Sequence, residues 1–219
     1  MKIIKPSIEV LDTLDQAVIL KRLELVGRTC YKSEDKITDI SCVEFVKKII
    51  KSGHLAIIEH YDISVRVICD RGVTHEIVRH RIASYAQEST RFCNYASGKF
   101  ENVITVIAPC FWNTEEYEET KDSLIQDEKM GVWRDTMWYL EASYLRLISL
   151  GATPQEARSV LPNSLKTEII MTMNLREWRH FLTLRTSKAA HPQMREVANM
   201  ILSEFKSKIP VIFEDIGQD

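Results

Sequence analysis

Thirteen consecutive residues, Arg79-His80-Arg81-Ile82-Ala83-Ser84-Tyr85-Ala86-Gln87-Glu88-Ser89-Thr90-Arg91, gather three arginines, a histidine, two serines, a glutamine and a glutamate. Arginine offers a planar, permanently charged fork suited to phosphates and carbonyls. Serine hydroxyls and a glutamine amide add neutral hydrogen bonds. That mixture suits a nucleotide, with its phosphate, sugar and base. The plainer alternative is a solvated, charged helix end. A helix is predicted from about Thr74 to Ser84, and consecutive residues on a helix point about 100° apart. Arg79, His80 and Arg81 therefore cannot serve one ligand atom. They can serve several groups of a large anion, or ligands on both sides of a subunit boundary.

Other chemistries find less support. His75-Glu76-Ile77-Val78-Arg79-His80 resembles the zinc motif H-E-x-x-H but places its second histidine one residue late. On a regular helix the two rings then lie about 140° apart, so no metal is expected. The glycines are isolated, and no dinucleotide fingerprint, phosphate loop or nucleophile elbow occurs. The five cysteines (Cys30, Cys42, Cys69, Cys93, Cys110) are scattered and form no C-x-x-C pair. They read as reduced thiols of a cytoplasmic protein. Twenty-nine basic against thirty-one acidic residues leave a net charge of -2. That balance argues against a nucleic-acid coat or a membrane-surface protein. No apolar stretch is long enough to span a bilayer, and the start, broken by Lys5, Pro6 and Glu9, is no signal peptide.

The elements that must position these residues follow from periodicity. Residues 2–11 read as a strand, as do 61–69, 102–108 and 167–173. Helices are expected over 13–28 and 39–52, the latter stopping at Gly53. More are expected over 131–150, 175–187 and 192–208. The acidic stretch 114–130 reads as a helical hairpin on the surface. Thr153-Pro154-Gln155-Glu156 has the form of a capping box with proline in the first turn, and Pro162 ends that helix. The tail IPVIF reads as extended. Strands and helices mix without regular βαβ alternation. The expected fold is therefore α+β, one domain over 1–219, with a central, mostly antiparallel sheet flanked by helices.

With the residues in view, a resemblance becomes specific. Arg79-His80-Arg81, seven residues, then Ser89-Thr90-Arg91 is similar to the R-H-R…S-x-R signature of the flavin-dependent thymidylate synthases. The flanks match in order. His54 and Glu59-His60 resemble the family's H-x-x-x-x-E-H. Ala157-Arg158 with Leu161-Pro162 resembles A-R-x-x-L-P. Asn174-x-Arg176, His180-Phe181-Leu182-x-Leu184-Arg185 and Gln193-Met194-Arg195-Glu196 follow the C-terminal block. The resemblance runs from about residue 20 to 205 and is weakest over 110–150. Ala86 stands where members often carry Asn or Ser, and His180 where some carry Asn.

The resemblance implies reductive methylation of dUMP to dTMP, with methylenetetrahydrofolate as carbon donor and NADPH-reduced FAD as hydride source. It implies a homotetramer with sites shared between subunits. Arg185 is the implied catalytic residue, stabilising negative charge on the pyrimidine as C5 becomes electron-rich; a fixed cation suits that task. Glu76, Arg79, Gln87, Glu88, Ser89, Thr90, Arg91 and Arg158 are the implied dUMP contacts. FAD is expected against Arg79, His80, Arg81 and Gln87 from one subunit, and Ala56, Asn174, Leu175, Arg176 and His180 from another. The resemblance further implies that Ser89 orients dUMP and that Cys93 is structural; a serine nucleophile would need an adjacent base. Two rivals stay open: a nucleotide- or RNA-binding module without catalysis, and a flavoenzyme acting on another substrate.

Overall fold

The computed structural model, which describes residues 1–112 and 127–217, breaks the expected first strand at Pro6. Proline has no N–H to give a ladder, so the segment becomes β1 (Lys2–Ile4) and β2 (Ser7–Val10). The two join different sheets. β1 pairs in parallel with β5 (Thr105–Ile107), Ile3 opposite Val106, a small second sheet that the sequence did not announce. The larger sheet has the order β2-β3-β6-β4, with β3 Asp62–Asp70, β4 Ser84–Gln87 and β6 Lys166–Asn174.

Pairing directions follow from the bonds. Leu11 N donates to Ser64 O at 2.9 Å and Arg66 meets Glu9 at 2.8 Å. Numbering rises on one strand as it falls on the other, so β2 and β3 are antiparallel. The Ser64 and Thr172 hydroxyls meet at 2.9 Å, and Arg71 N donates to Leu165 O at 3.2 Å. β3 and β6 are antiparallel by the same argument. Both strands alternate, β3 burying Ile63, Val65, Val67 and Cys69, and β6 burying Thr167, Ile169, Met171 and Met173.

The helices are α1 (Gln16–Tyr31), α2 (Ser41–Lys51), α3 (Arg71–Ile77), α4 (Glu128–Ser149), α5 (Pro154–Ala157), α6 (Leu175–Arg185), α7 (Pro192–Lys208) and α8 (Pro210–Phe213). Three expectations are corrected. The helix expected over 74–84 starts earlier, at the Asp70 cap, whose carboxylate accepts from Val73 N at 2.8 Å. It stops at Ile77, because the chain must turn to enter β4. The strand expected over 102–108 shortens to β5. The tail is helical rather than extended, because Pro210 suits a first helical turn, where no N–H is needed. The helical hairpin expected over 114–130 lies mostly outside the described residues.

The chain divides into two compact units. The first comprises Met1–Ser7, Val67–Arg79 and Ala86–Ile169. Its core joins Tyr95, Ile104, Val106, Met137, Tyr144, Ala157 and Leu165. The second comprises Ile8–Arg66, His80–Tyr85 and Ile170–Asp219. There α1 and α2 approach so closely at Gly27 that an added Cβ would stand 2.5 Å from the Phe45 ring. Trp178 of α6 is fully buried, packs edge-on to Phe205 at 5.1 Å and donates to Ile63 O at 2.9 Å. The indole thus ties α6 to β3 by a hydrogen bond as well as by burial. Truncating such a side chain to alanine costs about 3–5 kcal/mol.

Candidate active site

In the second unit the site is built on α6. Asn174 starts the helix, its side-chain oxygen accepting from Glu177 N at 2.9 Å. Three polar residues further along the helix, Glu177, His180 and Arg185, meet His80. Glu177 Oε1 lies 3.3 Å from His80 Nδ1, Arg185 Nε donates to His80 Nε2 at 3.0 Å, and the His80 and His180 rings are 5.9 Å apart. The Phe181 ring packs edge-on to His80 at 4.8 Å, and Tyr85 donates from its hydroxyl to the His80 carbonyl at 2.7 Å. Burial, then the Arg185 charge, lower the His80 pKa from the ordinary histidine value; the bond and charge of Glu177 oppose this, and His180 adds to the lowering. The same burial, with the Glu177 charge, pushes the Tyr85 phenol up to about 12.

Beside this line lies a cleft of roughly 620 Å³ bounded by Leu55, Glu59, Ile82, Asn174, Arg176, Glu177, Arg179, His180 and Thr183. Two separate sequence motifs meet there, since Arg176 donates to Glu59 at 2.6 Å. Arg179 is forked onto Asp215 at 2.7 Å through both terminal nitrogens, and this holds the Asp215 carboxyl below its usual range, with burial opposing. Ala56 is exposed in a short 3₁₀ turn, Leu55–His60. Arg81 is exposed. Leu175 is fully buried, so its side chain belongs to the core and only its backbone can face a ligand.

The first unit holds the other expected residues. Arg79 follows α3 in the turn after Ile77, its N–H donating to Glu76 O at 3.4 Å. The R-H-R run is therefore not helical, and the 100° spacing argument does not apply to it. Gln87 donates its amide to the Thr74 and Thr167 hydroxyls at 3.0 and 3.3 Å. Glu88 accepts from Tyr95 and from Lys166, each at 2.8 Å, while its N–H donates to Glu168 O at 2.8 Å. Thr90 is buried. Glu88 is half-buried, and its side chain lines a second cavity with Tyr95 and Lys166. Ser89 Oγ accepts from Arg91 N at 3.3 Å, a turn contact that activates no nucleophile. Arg91 lies 5.2 Å over the exposed Phe92 ring, and Arg158 is exposed in the 3₁₀ turn Arg158–Val160 after α5. Cys93 packs half-buried against the Tyr95 cluster, a structural place. All five cysteines are free thiols, and no helix among the described residues is long and apolar enough to cross a membrane.

The cleft has the size of an ordinary ligand site, commonly about 300–1,000 Å³. Leu55 and Ile82 offer apolar contact, and Arg176, Arg179 and His180 offer donors for anionic groups, a set that fits a flavin dinucleotide. The Arg176–Glu59 pair is exposed, and such pairs are worth little, so a ligand phosphate can displace the carboxylate. A metal fits less well. His80, Glu177 and His180 bring ligand atoms within 4.8 Å of one another, yet both His80 nitrogens are already bonded and one meets a permanent cation. Glu59, Ile82, Glu177, Arg179 and Thr183 were not read from the sequence as site residues. Glu59 lies within a quoted motif; Glu177 lies three residues after the Asn174 cap.

Comparison with known proteins agrees with the motifs. A family model described as "Thymidylate synthase complementing protein" matches residues 14–211. The flavin-dependent thymidylate synthase of Geobacter sulfurreducens is 30% identical over 200 residues, covering 88% of this chain and 80% of its own. That of Pyrococcus furiosus is 32% identical over 183 residues, covering 83% and 70%. Among solved structures, the UMP/dUMP methylase PolB from Streptomyces cacaoi, bound with 5-Br dUMP, aligns with a TM-score of 0.75 at 20% identity. It covers 98% of this chain and 96% of that one, a likeness of fold.

Proposed function

The chain belongs to the flavin-dependent thymidylate synthase family, and from that premise we propose that it converts dUMP to dTMP with methylenetetrahydrofolate as carbon donor, NADPH as reductant and bound FAD. The balance is dUMP, methylenetetrahydrofolate, NADPH and a proton giving dTMP, tetrahydrofolate and NADP⁺. The observation that carries this reading is helix α6. It presents Arg185, half withdrawn from solvent, together with much of the polar lining of a ligand-sized cleft.

Each residue type then has a task. Arg185 sits at the uracil edge, where negative charge develops as C5 becomes nucleophilic. A permanent cation already held in place stabilises that charge with little reorganisation. Arg91 and Arg158 hold the phosphate through charge-assisted bonds. Arg79 and Glu76 complete the nucleotide site. Gln87, Glu88, Ser89 and Thr90 contact and orient the nucleotide. Arg79, His80, Arg81 and Gln87, with Ala56, Asn174, the Leu175 backbone, Arg176 and His180, hold the flavin. When bound, the flavin supplies the hydride that completes the methyl group. The whole chain acts as one catalytic domain within a homotetramer whose sites are shared between subunits.

Purified protein is expected to be yellow, to release FAD on denaturation, and to change its visible spectrum when dUMP is added. NADPH oxidation coupled to dTMP formation requires both dUMP and the folate. UMP is the control, because the structural neighbour is a UMP/dUMP methylase. Colourless protein with strongly salt-dependent RNA binding would favour the rival binding module. Yellow protein indifferent to dUMP would favour another flavoenzyme.

A further inference from the structure

We propose that Glu177 is a positioning residue: through His80 it fixes the guanidinium plane of Arg185. The proposal rests on the reading of Arg185 given above, but its structural half can be tested without turnover.

The argument starts from donors and acceptors. An arginine Nε carries a proton and has nothing to accept with. Its bond to His80 Nε2, at 3.0 Å, requires an unprotonated Nε2. The single proton of a neutral imidazole then sits on Nδ1, which faces Glu177 Oε1 at 3.3 Å. One tautomer satisfies both contacts, and it is the one that free histidine disfavours. The partner of one ring nitrogen selects the state of the other. Glu177 and His80 are each 7% exposed, so little water competes for either nitrogen.

The surroundings leave the ring no easy way to turn. Phe181 packs on its edge, and Tyr85 holds its backbone carbonyl. Glu177 is itself fixed by position, because its N–H is the one capped by Asn174. A carboxylate placed directly against Arg185 would neutralise it. An interposed neutral imidazole passes on orientation and adds no negative charge of its own. Bonding at Nε, the nitrogen nearest the stem, sets the plane in which the two terminal nitrogens lie. The low His80 pKa fits this arrangement, since an imidazolium could not accept from Arg185.

The test has two arms. In ¹⁵N-labelled protein, the side-chain nitrogen spectrum is expected to show His80 protonated at Nδ1, its signal identified by loss in His80→Gln. Glu177→Leu is expected to shift that signal toward the Nε2-protonated form. Glu177→Gln, which keeps an acceptor, is expected to restore it. In turnover, Glu177→Leu is expected to lower kcat roughly tenfold or more, the scale on which partners that orient metal-bound histidines act, with the KM for dUMP little changed. Glu177→Gln is expected to recover the larger part. An Nε2-protonated His80 in the unmutated protein overturns the proposal without reference to activity. So does a normal kcat in Glu177→Leu once its tautomer has changed. If the protein methylates no uracil nucleotide but the tautomer follows Glu177 as expected, the function fails and the positioning of Arg185 stands.

Discussion

The two sets of arginines in this chain are held in opposite ways. In the first unit Arg79, Arg91 and Arg158 are exposed and lie in short turns. Arg91 lies over an exposed ring, and such contacts are worth about 0.5–1 kcal/mol. In the second unit Arg185 is half-buried and bonded to a buried histidine that is in turn held by a buried carboxylate. The difference fits a division of labour. A phosphate carries full charge before and after reaction, so exposed cations that close on it suffice. Charge on a uracil ring appears only as the reaction proceeds, and a cation helps there in proportion to how well it is already placed.

The sharpest way to break this comparison is Arg185→Ala. It is expected to lower dTMP formation by about a hundredfold to a thousandfold, the range seen on removing one pre-placed donor to developing charge. FAD content should stay near the unmutated value. Full activity would end the catalytic reading of Arg185, and colourless protein would make it a cofactor residue instead. Next in size come Arg91→Ala and Arg158→Ala. A lost hydrogen bond to a charged group costs about 1.5–3 kcal/mol, so the KM for dUMP should rise roughly tenfold to a hundredfold, with kcat less affected. Because these side chains are exposed, the penalty should shrink as salt is added. A kcat defect without a KM defect in either variant would remove the contrast between the two sets.

A third prediction concerns pH. Folding holds His80 below its ordinary value, chiefly by burial and then by Arg185, against the opposing pull of Glu177. His180 and Arg185 on α6 and Tyr85 beside the ring are the other ionisable groups facing it. Above about pH 6.5 the imidazole is neutral in both folded and unfolded chains and contributes no pH dependence. Below that value the unfolded chain binds a proton that the folded chain refuses. Stability should then fall by up to about 1.4 kcal/mol per pH unit, until folded His80 protonates. Urea unfolding between about pH 7 and pH 5, compared with His80→Gln, isolates this slope. Identical slopes in the two proteins would mean that His80 is not buried neutral, and the line to Arg185 would lose its middle.

Much of this was legible in advance where a signal is local. The period-two pattern of β3 and β6, the Asp-Ile-Ser-Val and Thr-Glu-Ile-Ile-Met runs, depends on neighbours two residues away. The cap at Thr153 depends on Glu156, three residues on. Some misses depended on partners far along the chain. The segment after Ile77 reads as a continuing helix until β4 is known to sit beside β6, where Glu88 N reaches Glu168 O. The pairing of β1 with β5 joins residues about a hundred positions apart. Glu177 is the most instructive case. Three residues after an Asn cap, a glutamate reads as capping chemistry, and its backbone N–H does receive that cap. Its side chain instead faces His80, 97 positions earlier, and nothing local to either residue shows the pair. The motif block contains Arg176, His180 and Arg185 but not Glu177, which holds the line between His80 and the helix.

The smallest expected effect tests whether the exposed set has any pre-placement of its own. Thr153 caps α5: its hydroxyl accepts from Glu156 N at 3.4 Å, and the Glu156 carboxylate accepts from Thr153 N at 2.8 Å. That return bond holds the Glu156 carboxyl below its usual range. Arg158 begins the turn that follows, one residue past the helix. Thr153→Ala removes the hydroxyl and should lower stability by about 1 kcal/mol, the typical loss of an N-cap. If Arg158 simply waits in solvent for a phosphate, the KM for dUMP should not change, because a mobile cation does not need an ordered turn. A several-fold rise in KM, with kcat intact, would show that the box orders the turn carrying Arg158. The contrast between the two sets would then be one of degree, a capped turn in one unit against a buried histidine in the other. Thr153→Ser, which retains the cap, separates that outcome from a general loss of stability.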